Sequence, residues 1–280
     1  VQAFSGRVAV VTGGASGIGL ALARRFAAEG MKVVVGDIEA PALDDALAML
    51  QADGADALGV VTDVADAQQV QALADAALER FGAVHVVCNN AGVGSGGLSW
   101  EMPLSTWQWV LGVNLWGVVH GIRTFVPLLL RHGEGHVVNT ASIAGLVSGP
   151  YMGPYNASKH AVVALSETLH HELALMGSNV KVSVLCPAWV NTRIADSARN
   201  RPAHLRADAE PVDGADVLRS VLQSGMAPEA VADKVLDAIR AEEFWIMTHD
   251  DPDDFWVDLV ERRVRSVTDR TNPTLQLPPT

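Results

Sequence analysis

A chain of 280 residues with 49% apolar side chains is long enough to bury one large core and short for two, so a single domain over residues 1–280 is expected. The formal charge is −12, and the 20 Lys and Arg residues are scattered singly or in pairs; that excludes a basic strip following a phosphate backbone, and nucleic acid is not expected as a partner. No run reaches the ~20 apolar residues that cross a bilayer, and Val8–Val11 is too short for a signal peptide or anchor, so the expectation is a cytoplasmic protein without membrane attachment.

Short β-branched runs alternate with alanine-rich helical stretches. In chain order the expected strands are Val8–Val11, Lys32–Gly36, Ala57–Val61, Val84–Cys88, His136–Thr140, Val180–Leu185 and a last run, Phe244–Met247. Helical periodicity covers Ile18–Glu29, Pro41–Gln51, Ala67–Phe81, Thr106–Leu130, Asn156–Met176 and Pro228–Arg240. Strands alternating with helices imply an α/β fold, a parallel sheet covered by helices. Ser105 with Gln108 reads as a capping box before the long Trp-containing helix, and Gly30 and Gly177 read as helix ends. Periodicity fails between 191 and 225, where a lid or substrate-binding loop is expected, and the Pro-containing tail from about 270 to 280 is expected to be irregular. Cys88 and Cys186 both fall in apolar strand runs and read as buried thiols of a reducing compartment.

The first strand runs into TGGASGIG, Thr12–Gly19, at the start of a helix. Glycines there let the main chain turn tightly and approach a pyrophosphate, whose charge is favoured by the free N–H groups of the helix. Gly13, Ser16, Gly17, Ile18 and Gly19 are therefore cofactor-binding candidates. Alone, such a turn is a weak signal. Asp37 follows Gly19 by eighteen residues, at the end of the second strand, where a carboxylate accepts hydrogen bonds from ribose hydroxyls and repels a 2′-phosphate, selecting NAD over NADP. Neither Ser16 nor Ile38 is a cation that would welcome that phosphate. Asp63, beside Val64 after the third strand, reads either as an adenine contact or as a helix cap.

Tyr155 and Lys159 are spaced i, i+4 at the start of a helix and share one face. A phenol with an ordinary pKa near 10 must drop by ~2–3 units to act as a base near neutrality, about 3–4 kcal/mol. One ammonium about 4 Å away supplies on the order of 4 kcal/mol at an effective dielectric of 20, so a lysine suffices without a metal. Ser142, Asn114 and the NNAG tetrapeptide Asn89–Gly92 are all expected at the carboxyl ends of the strands, where ligands sit in an open parallel sheet.

TGGASGIG, NNAG, Asn114, Ser142, YNASK (Tyr155–Lys159) and PAWVNT (Pro187–Thr192), in this order and spacing over residues 5 to about 192, resemble the short-chain dehydrogenase/reductase family. The resemblance implies a Rossmann-like doubly wound sandwich with a seven-stranded sheet in the order 3-2-1-4-5-6-7. It implies catalytic roles for Asn114, Ser142, Tyr155 and Lys159, with Asn90, Ala91 and Gly92 along the adenine ribose. Pro187, Val190 and Thr192 would attend the nicotinamide, and the protein would form a homo-oligomer, a dimer or tetramer. Relatives commonly carry glycine where this chain has Ala188, which predicts altered local backbone without loss of cofactor. The expected function is NAD-dependent interconversion of a secondary alcohol and a ketone, the substrate a fairly apolar small molecule. The alternatives are an NADPH-dependent carbonyl reductase and a non-catalytic nucleotide-binding relative. No metal is expected: the histidines, including the adjacent His170 and His171, lack ligand spacing.

Overall fold

The computed structural model describes residues 1, 3–206, 215–249 and 255–273. Seven parallel strands form one sheet in the order β3-β2-β1-β4-β5-β6-β7: β1 Val8–Thr12, β2 Lys32–Asp37, β3 Ala57–Val61, β4 Val86–Asn89, β5 Gly135–Thr140, β6 Val180–Cys186 and β7 Trp245–Met247. The α/β class and the expected strand order are borne out. The helices between them are α1 Gly17–Ala28, α2 Ala40–Ala52, α3 Ala67–Phe81, α4 Leu104–Leu111, α5 Gly117–His132, α6 Gly153–Leu175, α7 Ala215–Gln223 and α8 Pro228–Ala241, with α9 Phe255–Asp269 after the last strand.

Side chains alternate across a strand, and β1 shows what that does here. Ala9 and Val11 face one layer, packing with Leu22 and Phe26 of α1, Leu50 of α2 and Leu236 of α8; Val8 and Val10 face the other, packing with Leu73 of α3, Phe125 and Leu129 of α5 and Leu173 of α6. A strand buried on both sides must be apolar throughout, and β1 is VAVVT. Each fully buried Leu or Phe in these layers contributes roughly 1.5–3 kcal/mol. Cys88 and Cys186 are buried free thiols on β4 and β6. Since β5 runs between those strands, two strand spacings of about 4.8 Å separate them, beyond the reach of a disulfide.

Gly30 and Gly177 lie just past α1 and α6 with φ of +78° and +63°, the left-handed conformation a helix end favours. The capping box is corrected. The helix begins at Leu104, its N-cap is Pro103, and Ser105 sits inside the first turn, where its hydroxyl accepts from Arg201 at 2.9 Å. The expected Thr106–Leu130 helix is three pieces: α4, a π-helical turn over Gly112–Trp116, and α5. By length and composition this 29-residue helix, Leu104–His132, could cross a membrane, contrary to the sequence reading, because a window average tolerates the polar residues that interrupt an apolar run. Val110, Phe125 and Leu129 of this helix are nonetheless fully buried within the protein.

The 191–225 excursion has closed ends. Asn191 donates to Met226 O at 2.9 Å, and Met226 N to Trp189 O at 2.9 Å, so the chain leaves and returns at one place beside β6. Inside it lie 3-10 turns over Ile194–Asn200 and Ala203–Leu205, then α7. Part of this segment, 207–214, lies outside the described residues, as does 274–280 of the tail.

Candidate active site

The strands end on one side of the sheet in a cavity of about 1880 Å³. At its nucleotide end, Gly13 and Gly17 have φ of +62° and +52°, a region L side chains rarely adopt, and a Cβ on Gly13 would lie 2.7 Å from Ala91 Cα. The turn they form delivers the first N–H groups of α1 to the cavity wall at Gly17 and Ile18. Gly19 does not line the cavity. A Cβ there would overlap Gly13 O and crowd Asn90 Nδ2, so its part is to let helix and turn pack closely.

Asp37, the last residue of β2, is buried, with Oδ2 accepting from Ala15 N and Oδ1 from Glu39 N, both at 3.0 Å. An ionised carboxylate offers about four acceptor positions, so two are spent on the chain and the others are available where Asp37 lines the cavity. Asp63 lines it too, beside Val64, while its Oδ1 accepts from Ala65 N at 2.9 Å. The cap of α3 is Asp66, which accepts from Gln68 N.

Asn90 stitches three strand ends together: its N–H donates to Thr12 Oγ1 at 2.9 Å, Nδ2 to Thr12 O at 3.1 Å, and Oδ1 accepts from Thr140 Oγ1 at 3.3 Å. Ala91 and Gly92 follow on the cavity wall. Asn114 lies in the π turn, a feature frequent at functional sites. Its side chain is buried behind the wall, accepting from Val93 N at 2.8 Å and donating to Val93 O at 3.0 Å and Ser158 Oγ at 3.2 Å. Asn114 thus clamps the loop after β4 to α6.

At the reacting end the side chains of Ser142, Tyr155 and Lys159 meet. Ser142 Oγ donates to Pro187 O at 3.2 Å and accepts from Ala144 N at 3.1 Å, and it lies close enough to the Tyr155 phenol to influence it. Burial raises the phenol above its usual pKa, and the Ser142 contact opposes that rise. Lys159 Nζ donates to Thr140 O at 2.8 Å and stands 5.6 Å from the Tyr155 ring centroid. Burial pushes this amine down to about 8. The sequence argument had the amine acidify the phenol; in the structure burial is the larger influence on Tyr155 and raises it, with Ser142 acting in the other direction.

Pro187, Val190 and Thr192 line the cavity between the two ends, and a Cβ on Gly17 would lie 3.1 Å from Thr192 Cγ2, which brings the nicotinamide-strand segment over the glycine turn. Ala188 is accommodated without left-handed backbone, its N–H donating to Thr248 Oγ1 at 3.1 Å. Every predicted site residue except Gly19 and Asn114 lines this one cavity. A glycine turn on a helix start, a carboxylate with spare acceptors one strand away and an amine under a phenol suit a nicotinamide dinucleotide.

Sequence reasoning missed two contributors. Glu39, two residues beyond Asp37 and just ahead of the expected Pro41–Gln51 helix, lines the cavity. The second is α9, whose Phe255, Trp256 and Leu259 line the cavity, with Trp256 edge-on to Trp189 at 5.8 Å. His170 packs on Phe244, ring centroids 5.0 Å apart.

Residues 7–203 match the family model described as short chain dehydrogenase. The chain belongs to that family. It is 47% identical, with a TM-score of 0.95 and full coverage of both chains, to a short chain dehydrogenase/reductase from Burkholderia phymatum crystallised in complex with NAD. It is 42% identical to a 1-deoxy-11-beta-hydroxypentalenate dehydrogenase of Streptomyces avermitilis, covering 87% of this chain and 84% of that one. An actinorhodin polyketide ketoreductase variant crystallised with NADPH is 32% identical at a TM-score of 0.75, covering 86% and 95%. This family of oxidoreductases works on alcohol and carbonyl groups of small molecules with a nicotinamide cofactor.

Proposed function

We propose that this protein, one nucleotide-binding domain with residues 191–225 as its substrate lid, is an NAD(H)-preferring dehydrogenase that interconverts a secondary alcohol and its ketone. The observation that carries the reading is the meeting of Ser142, Tyr155 and Lys159 in the same cavity as Asp37. Preference for NAD rests on Asp37, and the NAD complex of the Burkholderia relative supports it. The aromatic side chains in the cavity lining, among them the Trp189, Trp256 and Phe255 group, suit a mainly hydrocarbon substrate, in keeping with a relative named for a hydroxypentalenate.

Bound nicotinamide dinucleotide supplies the hydride acceptor, or its donor in the reverse direction. Ser142 Oγ hydrogen-bonds the substrate oxygen. Tyr155, whose raised pKa keeps it protonated near neutrality, gives its proton to the carbonyl oxygen in reduction and, as phenolate, takes the alcohol proton in oxidation. Lys159 spends one N–H on Thr140 O and keeps two for the ribose hydroxyls and the proton path. Asn114 holds the floor through Val93.

Exposed Trp116 and Leu104 on the long helix support a homo-oligomer, dimer or tetramer, and the two buried thiols suit the cytoplasm. The test follows NADH and NADPH absorbance against ketones, ring alcohols and aryl carbinols. Oxidation by the wild type rises with pH above neutrality while reduction falls, because the first needs the phenolate and the second the phenol. Tyr155→Phe loses about 10²- to 10⁴-fold in turnover. Wild-type turnover from that variant would remove the acid/base assignment.

A further inference from the structure

We propose that Glu39 is a positioning residue that ties the Ile194–Asn200 turn to the nucleotide rim, and so sets how fast the cofactor leaves. The turn belongs to the excursion after β6, whereas Glu39 lies beyond β2, four places away from β6 in the sheet. Three donors converge on one oxygen: Glu39 Oε1 accepts from Arg199 Nε at 3.0 Å, Asn200 Nδ2 at 2.8 Å and the second Arg199 nitrogen, Nη2, at 2.7 Å. An exposed ion pair gains little, because two long side chains must be ordered in water. Here much of that ordering is done in advance. Arg199 Nη1 donates to Arg193 O at 3.2 Å and Asp196 O at 3.0 Å, which fixes the guanidinium on its own turn, and each partner is only 26% exposed. The Arg199 hydrogen bond is the first cause holding Glu39 below the usual carboxylate range.

A second pin fixes the middle of the turn: Gly94 N donates to Ser197 Oγ at 3.1 Å, and Ser197 is buried. Glu39, Arg199, Ser197 and Gly94 all line the cavity that holds Asp37 and Thr192. A molecule reaching from Asp37 to Thr192 therefore has the turn fastened across it at β2 and at the loop after β4, and the β2 fastening is ionic. This presupposes the dinucleotide cleft proposed above and adds a side chain that touches none of the reacting groups, Glu39 meeting Asp37 only through its main-chain N–H.

The experiment measures NADH dissociation by stopped-flow displacement in the wild type, Glu39→Gln, Arg199→Gln and the double variant. A partly buried pair of this kind predicts release about three- to tenfold faster in Glu39→Gln. The double variant releases no faster than Arg199→Gln alone, and added salt speeds release from the wild type but not from Glu39→Gln. Loss of fold would not produce that non-additivity or that salt response. Release from Glu39→Gln within experimental error of the wild type, or single effects that multiply in the double variant, would overturn the role. Binding of NADPH in place of NADH by the wild type would sink the cofactor preference alone, and the same rates taken with NADPH would still decide the latch.

Discussion

Asp37 does two jobs with one carboxylate. Its bonds to Ala15 N and Glu39 N hold the glycine turn against the end of β2, and it also lines the cavity, where the proposed reading has its remaining acceptor positions meet a ribose. Removing the whole side chain would confuse the two jobs, so the informative change is Asp37→Asn, which keeps the size and one acceptor while deleting the charge. A unit charge about 5 Å from a phosphate is worth about 1–3 kcal/mol at effective dielectrics of 20 to 60. The ratio of kcat/KM with NAD to that with NADP therefore falls by about tenfold or more in Asp37→Asn. Steady-state kinetics with both cofactors checks it, and an unmoved ratio would count against the proposed discrimination.

Among the helices, α5 shows how close packing serves the site. Gly121 faces β4, and a Cβ there would overlap Asn89 Oδ1. Asn89 begins a buried chain in which its Nδ2 donates to Asn139 Oδ1 at 2.9 Å, Asn139 Nδ2 to Ser166 Oγ at 3.0 Å, and Ser166 Oγ to Val162 O at 2.7 Å, linking β4 and β5 to α6. Gly121→Ala must displace that chain or the helix carrying Asn114, and costs about 1–3 kcal/mol of stability, as overpacking does. Chemical denaturation checks it; a variant as stable as the wild type would show that the contact yields freely. The sequence made the strands, the glycine turn, Asp37 at its strand end and the limits of the 191–225 excursion legible, because each leaves a local pattern of apolar runs, glycines or lost periodicity, whereas the strand order came from the family resemblance alone. The π turn left none, since an i→i+5 bond requires no particular residue. The helix α9 went unread because DLVERRVRSVTD is dense in charge, yet Trp256, Leu259 and Arg263 at helical spacing all reach the cavity, a weak signal that was present. The burial around Tyr155 was not legible for another reason: spacing places an amine near a phenol but does not report how much water both have lost.

The whole molecule carries its acid weakness at the end of the sheet opposite the cavity. His85 Nδ1 accepts from Val8 N at 3.1 Å, so this imidazole is held neutral with its proton on Nε2. Burial, helped by Arg7 and His132, pushes it down to about 4. His136 is buried in β5; because Ser183 Oγ spends its hydrogen on Glu243 O, His136 Nε2 donates to Ser183, and burial pushes the ring down to about 3. Both folded pKa values lie below the unfolded 6.5, so between pH 6.5 and 4 the unfolded chain binds more protons than the folded one, and stability is lost as pH falls through that window. Both imidazoles therefore work against the fold in the same direction as acid is added. Urea melts at a series of pH values should show the unfolding free energy dropping steadily below about pH 6.5, the ordinary imidazole pKa. The substitution that isolates the cause is His85→Asn, whose Oδ1 can still accept from Val8 N but cannot titrate. Its stability should fall less steeply with acid than the wild type's, by about the His85 share; a slope identical to the wild type's would mean that carboxylate protonation, and not these imidazoles, governs the acid limit.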